Sequence, residues 1–264
     1  MELKTEWISH RRDGQEMKAY QVLGPQPEHS PAILVIQEIW GPDEHIQEMA
    51  RRFAEAGYVA LAPDLYSRGG KPEALSFARI EAVKKFFDTL PHAAWMDNDL
   101  REQYLNKLPA DEKTRITETL GVLFGPKDNA GMIEDLKTWA QYLRDQGHQV
   151  ASIGYCMGGA LSFSLATALP DLKAAVCNYG VAPDPEAMKA IQCPVYGFYG
   201  GTDHRITDLV PEVASAMKTA GKDFRYEIYP EAGHAFFNDS RSSYDAGAAR
   251  DAWARTLEFF RTSF

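Results

Sequence analysis

The chain has 264 residues, 45% hydrophobic, 25% charged and 11% aromatic, ordinary globular values that exclude a collagen-like, low-complexity or disordered chain. With 37 acidic and 28 basic side chains its net charge is −9, a surface that repels nucleic-acid phosphates and anionic membrane heads. Three cysteines without CxxC spacing, and no apolar run near the roughly 20 residues of a membrane span, point away from disulfides, structural zinc and membrane insertion.

In chain order, the alternating stretches Lys4–Ser9 and Glu16–Val22 flank Arg12-Asp13-Gly14, which predicts a hairpin. Ala32–Ile36 is a continuous apolar run, as expected of a strand covered on both faces. Asp43–Ala56 has helical spacing and is closed by Gly57; Tyr58–Ala62 is the next strand, ended by Pro63-Asp64. Between Ser67 and Asn129 no strand is legible. Two or three helices are expected there, broken near Leu90-Pro91 and Leu108-Pro109. This helical insertion, 67–129, is either a cap near a pocket or a decoration that adds packing.

The rhythm then resumes. Helices are expected over Ile133–Asp145, Met157–Leu169, Leu209–Thr219 and Ala246–Phe260, and strands over Gln149–Ile153, Leu172–Cys177, Val195–Tyr199 and Phe224–Tyr229. The reading is a single α/β domain over 1–264, a doubly wound and mostly parallel sheet with helices on both faces.

Chemistry enters at Gly154-Tyr155-Cys156-Met157-Gly158-Gly159, directly after a strand and directly before a small-residue helix. This is the small-x-nucleophile-x-small turn, whose sharpness demands small residues two positions either side of the nucleophile. It presents Cys156 at a helix N-terminus and aims the Met157 N–H at a developing oxyanion. The alternative is an inert buried cysteine beside two packing glycines.

A base and an orienting acid must follow in chain order. Gly200-Gly201-Thr202-Asp203 ends one late strand and Ala232-Gly233-His234 lies beyond the next, so Asp203 and His234 reach the same sheet edge as Cys156. His204 is the competing base, although it abuts the acid. Trp40, Tyr155, Tyr179, Phe236 and Phe237 flank the site and either wall a substrate pocket or pack at the edge of the core. Neither a phosphate-cradling glycine pattern nor metal-ligand spacing is present, so neither cofactor nor metal is expected.

Outside the insertion, the chain resembles the dienelactone hydrolase family of α/β-hydrolases. The matching stretches are Val35-Ile-Gln-Glu-Ile-Trp-Gly41, Ala62-Pro-Asp-Leu-Tyr66, Gly154-Tyr-Cys-Met-Gly-Gly159, Asn178-Tyr-Gly180, Gly200-Gly-Thr-Asp203 and Ala232-Gly-His234. The resemblance implies an α/β-hydrolase fold and hydrolysis of a lactone or enol ester through a cysteinyl ester. It implies that Glu38 contacts the resting thiol and that the Ile39 N–H joins that of Met157 in the oxyanion hole. It also implies arginines for a substrate carboxylate. Arg115 is the candidate in the insertion, or else a solvated helix charge. The position four after His234 is Asn238, with Arg241 slightly further on. The alternative substrate class is therefore neutral short-chain carboxylic esters. The expected partner is a small-molecule ester or lactone, with no nucleic acid and no membrane, in a cytoplasmic monomer or small homo-oligomer.

Overall fold

The computed structural model describes residues 2–95 and 97–264, and the chain divides into two compact units, 1–65 with 129–264, and 66–128. The larger unit is built on eight strands, β1 (Lys4–Arg12), β2 (Gln15–Leu23), β3 (Ala32–Ile36), β4 (Val59–Asp64), β5 (Val150–Tyr155), β6 (Ala175–Asn178), β7 (Val195–Gly200) and β8 (Phe224–Tyr229). Their spatial order is β1-β2-β4-β3-β5-β6-β7-β8. Six strands run parallel from β4 to β8, and the β1–β2 hairpin is antiparallel on the β4 side.

Every residue of β3, β5, β6 and β7 is buried, as continuous apolar runs require when both faces are covered. On one face, Ile33, Val35, Ile153, Val176 and Phe198 join residues of α1 (Glu44–Glu55) in a single cluster. Phe259 and Phe260 of the C-terminal helix (Ala246–Ser263) complete that cluster. On the other face, the helix Met157–Ala168 packs on β5 and β6, and Asn129–Asp145 packs on β3. A buried Ser152–Ser162 hydroxyl pair, 2.8 Å apart, ties β5 to the first of these.

The hairpin turns at Asp13 (φ 52°) and Gly14 (φ 77°), the positive-φ pair that the Asp-Gly motif predicts. Its first strand runs three residues further than its apolar alternation suggests and its second one residue further at each end, because the ladder continues through Arg11 and Arg12 on an exposed edge. Pro63 does not end β4, as expected from sequence. The strand continues to Asp64, pairing Ala19↔Pro63 and Lys18↔Asp64 with β2. β3 leaves β4 at Leu61, so Pro63 faces a ladder on one side only and its missing N–H is accommodated. Strand β6 lies later than Leu172–Cys177, at Ala175–Asn178, where the ladder with β5 and β7 begins.

The smaller unit is helical, with α2 (Phe77–Asp88), α3 (Asn98–Leu105) and α4 (Ala110–Phe124). Phe87 is its centre, stacked on Phe124 at 6.1 Å and edge-on to Trp95 at 5.1 Å. Lys127 closes α4 by donating to the carbonyls of Val122, Leu123 and Gly125, groups a helix C-terminus leaves unpaired. In chain order the remaining helices are α5 (Asn129–Asp145), α6 (Met157–Ala168), α7 (Pro185–Met188), α8 (His204–Thr207), α9 (Val210–Thr219) and α10 (Ala246–Ser263). Among the described residues no helix is long and apolar enough to cross a membrane.

Candidate active site

Cys156 stands between β5 and α6 at φ 55°, ψ −115°, a conformation that L-residues rarely adopt. The turn is possible because its flanks lack side chains. A Cβ on Gly154 would lie 1.8 Å from the Gly158 carbonyl oxygen, and one on Gly158 would lie 2.3 Å from that of Ile36. The missing methyl on Gly158 thus lets α6 sit directly against the end of β3. Among the described residues, three of the four non-glycine positive-φ positions are Cys156, Tyr179 and Ala235, on three separate loops at this edge. Each costs on the order of 1–3 kcal/mol, and such strain concentrates at functional sites.

Asp203 caps α8 beyond β7, and His234 lies on the loop beyond β8. The two loops are stitched together. Gly201 N–H donates to Tyr229 O at 2.7 Å, and the Thr202 N–H and hydroxyl both donate to Ala232 O at 3.0 Å. The stitch brings His234 Nδ1 within 2.6 Å of Asp203 Oδ2, whose side chain is only 7% exposed. With Nδ1–H committed to the acid, Nε2 is left for the thiol, and His234 is hydrogen-bonded to Cys156.

Burial alone would lower the proton affinity of His234. The charge on Cys156, the hydrogen bonds to Asp203 and Cys156 and the charge on Asp203 outweigh it and push the imidazole up to about 10. Protonated His234 is therefore favoured beside Cys156. His204, the competing base, is solvent-exposed and faces Asp208 at 3.2 Å instead.

Glu38 follows β3 and is almost fully buried. Its oxygens are held by uncharged donors: Tyr179 Oη–H gives 3.2 Å to Oε1, and Asn238 Nδ2–H gives 2.9 Å to Oε2. Asn238 cannot flip, because its Oδ1 accepts from the Ser240 N–H at 3.0 Å and hydroxyl at 2.7 Å. Tyr179 is also edge-on to the His234 ring at 5.1 Å, so one residue touches both the carboxylate and the base. Sequence reasoning missed this network. Its members are 141 and 200 residues from Glu38 in the chain, and the one available signal was a polar Asn-Asp-Ser run shortly after His234.

Met157 is the first residue of α6 and Ile39 immediately follows Glu38, so both proposed oxyanion donors stand at the carboxyl edge. Tyr155, Tyr179, Phe236 and Phe237 all belong to the buried core cluster, and Tyr179 in addition touches Glu38 and His234. Trp40 carries the Arg241 guanidinium 5.4 Å above its ring. Arg115 is an exposed residue of α4 in the helical unit.

This geometry has relatives. Residues 17–264 match the model of the dienelactone hydrolase family. The chain is 38% identical over 256 residues to a Saccharolobus solfataricus protein named "Putative carboxymethylenebutenolidase", covering 96% of this chain and 97% of that one. An Escherichia coli K12 protein of the same name is 31% identical over 260 residues, covering 94% and 83%. A Klebsiella pneumoniae crystal structure, titled as a dienelactone hydrolase with the same qualifier, superposes with a TM-score of 0.73. It is 28% identical and covers 99% of each chain.

Proposed function

The chain belongs to the dienelactone hydrolase family, ester and lactone hydrolases with the α/β-hydrolase fold, and from that premise we propose that it opens a lactone or enol ester through a cysteinyl acyl-enzyme on Cys156. The observation that carries this reading is the Cys156–His234–Asp203 chain, assembled from three loops, with the imidazole proton affinity raised by the thiol.

The thiolate sulfur attacks the carbonyl carbon, and the Met157 and Ile39 N–H groups stabilise the resulting oxyanion. As the intermediate collapses the C–O bond breaks, and the leaving enolate or alkoxide takes the Nε2 proton of His234. Acylation removes the charge on Cys156, the largest influence that raises His234. Its proton affinity falls, with burial lowering it and Asp203 still raising it, and the imidazole, having given up its proton, serves as the base that deprotonates water. Water then attacks the thioester, the C–S bond breaks and the acid is released. Asp203 holds the imidazole tautomer throughout, and Glu38, beside the site, tunes the thiol.

A second reading, hydrolysis of neutral carboxylic esters, is favoured by the uncharged partners of Glu38 and by Asn238 standing four residues after His234. The test is mass spectrometry of enzyme quenched during turnover of p-nitrophenyl acetate or a dienelactone, beside Cys156→Ala. An acyl mass on the Cys156 peptide and an inactive variant are expected; undiminished turnover by Cys156→Ala overturns the assignment.

A further inference from the structure

Beyond β6 and β7, on the same carboxyl edge as Cys156, the larger unit contains a cavity of about 190 Å³ that the mechanism does not use. Its walls are the β6–α7 loop, the end of β7, α7, α8 and α9, and its lining is mostly apolar, with Met188, Ile206, Val210, Val213 and Ala216 beside Tyr199. Among the described residues Glu212, exposed at the rim, is the one charged residue in that lining, and no basic residue is part of it. An anionic ligand would thus meet a negative charge without a counter-ion, whereas a neutral hydrocarbon loses nothing on entry.

Two covalent connections join the cavity to the site. Gly180, in its wall, follows Tyr179, whose ring lies against His234. Ile206 belongs to α8, the helix that Asp203 caps. Neighbouring strands are about 4.8 Å apart, so the cavity lies roughly one to two strand spacings sideways from the nucleophile on β5. An acetyl group cannot cover that span; a chain of several methylenes can. For scale, an apolar cavity of about 150 Å³ admits a six-carbon ring. Val181 and Leu209 at the rim are half exposed, so the mouth is open to an entering chain.

We infer that this cavity is a subsite for the aliphatic chain of a neutral ester or lactone, one of about six carbons on the acyl side. The inference rests on ester cleavage at Cys156 and deepens it by naming the substrate class. Each methylene taken from water adds up to about fourfold in kcat/KM.

The experiment is a series of p-nitrophenyl acetate, butyrate and hexanoate with wild type, Ala216→Phe, which fills the cavity, and Leu209→Asp, which charges its exposed rim. Wild type should favour hexanoate over acetate by tenfold or more, and both variants should bring that ratio close to one. Leu209→Asp sits at the surface and keeps the test available if the filled cavity prevents folding. Wild-type acetate hydrolysis that Cys156→Ala abolishes establishes the parent reading separately. With that in hand, a wild-type profile that falls from acetate to hexanoate, or a ratio unchanged in both variants, overturns the subsite.

Discussion

The acid and base at this site act on one another at the scale of single atoms. A carboxylate 2.6 Å from Nδ1 fixes which nitrogen faces the sulfur, so Asp203→Asn should lower kcat by on the order of 10³–10⁴ while leaving the fold intact. Steady-state kinetics beside a thermal melt separates those outcomes. Protonated His234 is favoured in the folded chain, since its affinity is raised from 6.5 to about 10. Its contribution to stability is therefore complete below pH 6.5 and is lost as pH rises through about 10. The gap in unfolding free energy between wild type and His234→Ala should narrow across that window, as read by denaturant melts at several pH values. The alkaline limb of kcat/KM should likewise lie well above 6.5, because the imidazolium proposed to protonate the leaving group persists.

Between elements, the Ser240–Asn238–Glu38–Tyr179 chain, buried at all but Ser240, ties the loop after β8 to those after β3 and β6. Asn238→Leu keeps the volume but removes the donor to a buried carboxylate. It should cost about 1–3 kcal/mol of stability, as read by denaturant melts. None of this chain was legible in the sequence, because nothing local relates positions so far apart. The parallel strands were legible, since each is a short apolar run between turn residues, and so was the tight strand-to-helix turn at Cys156, whose demand for small neighbours is local. The end of β4 was not. Pro63 reads as a terminator until the neighbouring strands are known, and only the ladder with β2 shows that its missing donor goes unused on one side. Likewise the start of β6 is set by where β5 and β7 begin to pair, a fact about neighbours and not about Leu172 or Lys173.

For the molecule as a whole, the division into two units has an energetic reading. In the sheet unit, β3, β5, β6 and β7 are fully buried and paired on both edges; the helical unit of α2, α3 and α4 has its own smaller aromatic core around Phe87. Opening should therefore be uneven, and native-state hydrogen exchange should show amides of residues 66–128 exchanging as a faster group than those of β3, β5 and β6. A single common rate for both would show that they open together. Net charge bears on handling and not on fold: near the isoelectric point of about 5.3 the repulsion between copies vanishes, and solubility should pass through its minimum there.

The hydrogen atom on Gly158 carries a consequence for how such a chain can drift over generations. Restoring a methyl there would meet the Ile36 and Gln37 carbonyls at 2.3 and 2.4 Å, so the helix bearing one proposed oxyanion donor would be pried from the strand that leads to the other. Gly158→Ala should cost about 1–3 kcal/mol in a thermal melt and forfeit turnover beyond that loss. Position 158 is closed to any side chain, and the spacing between the two proposed oxyanion donors is gauged by what the residue lacks.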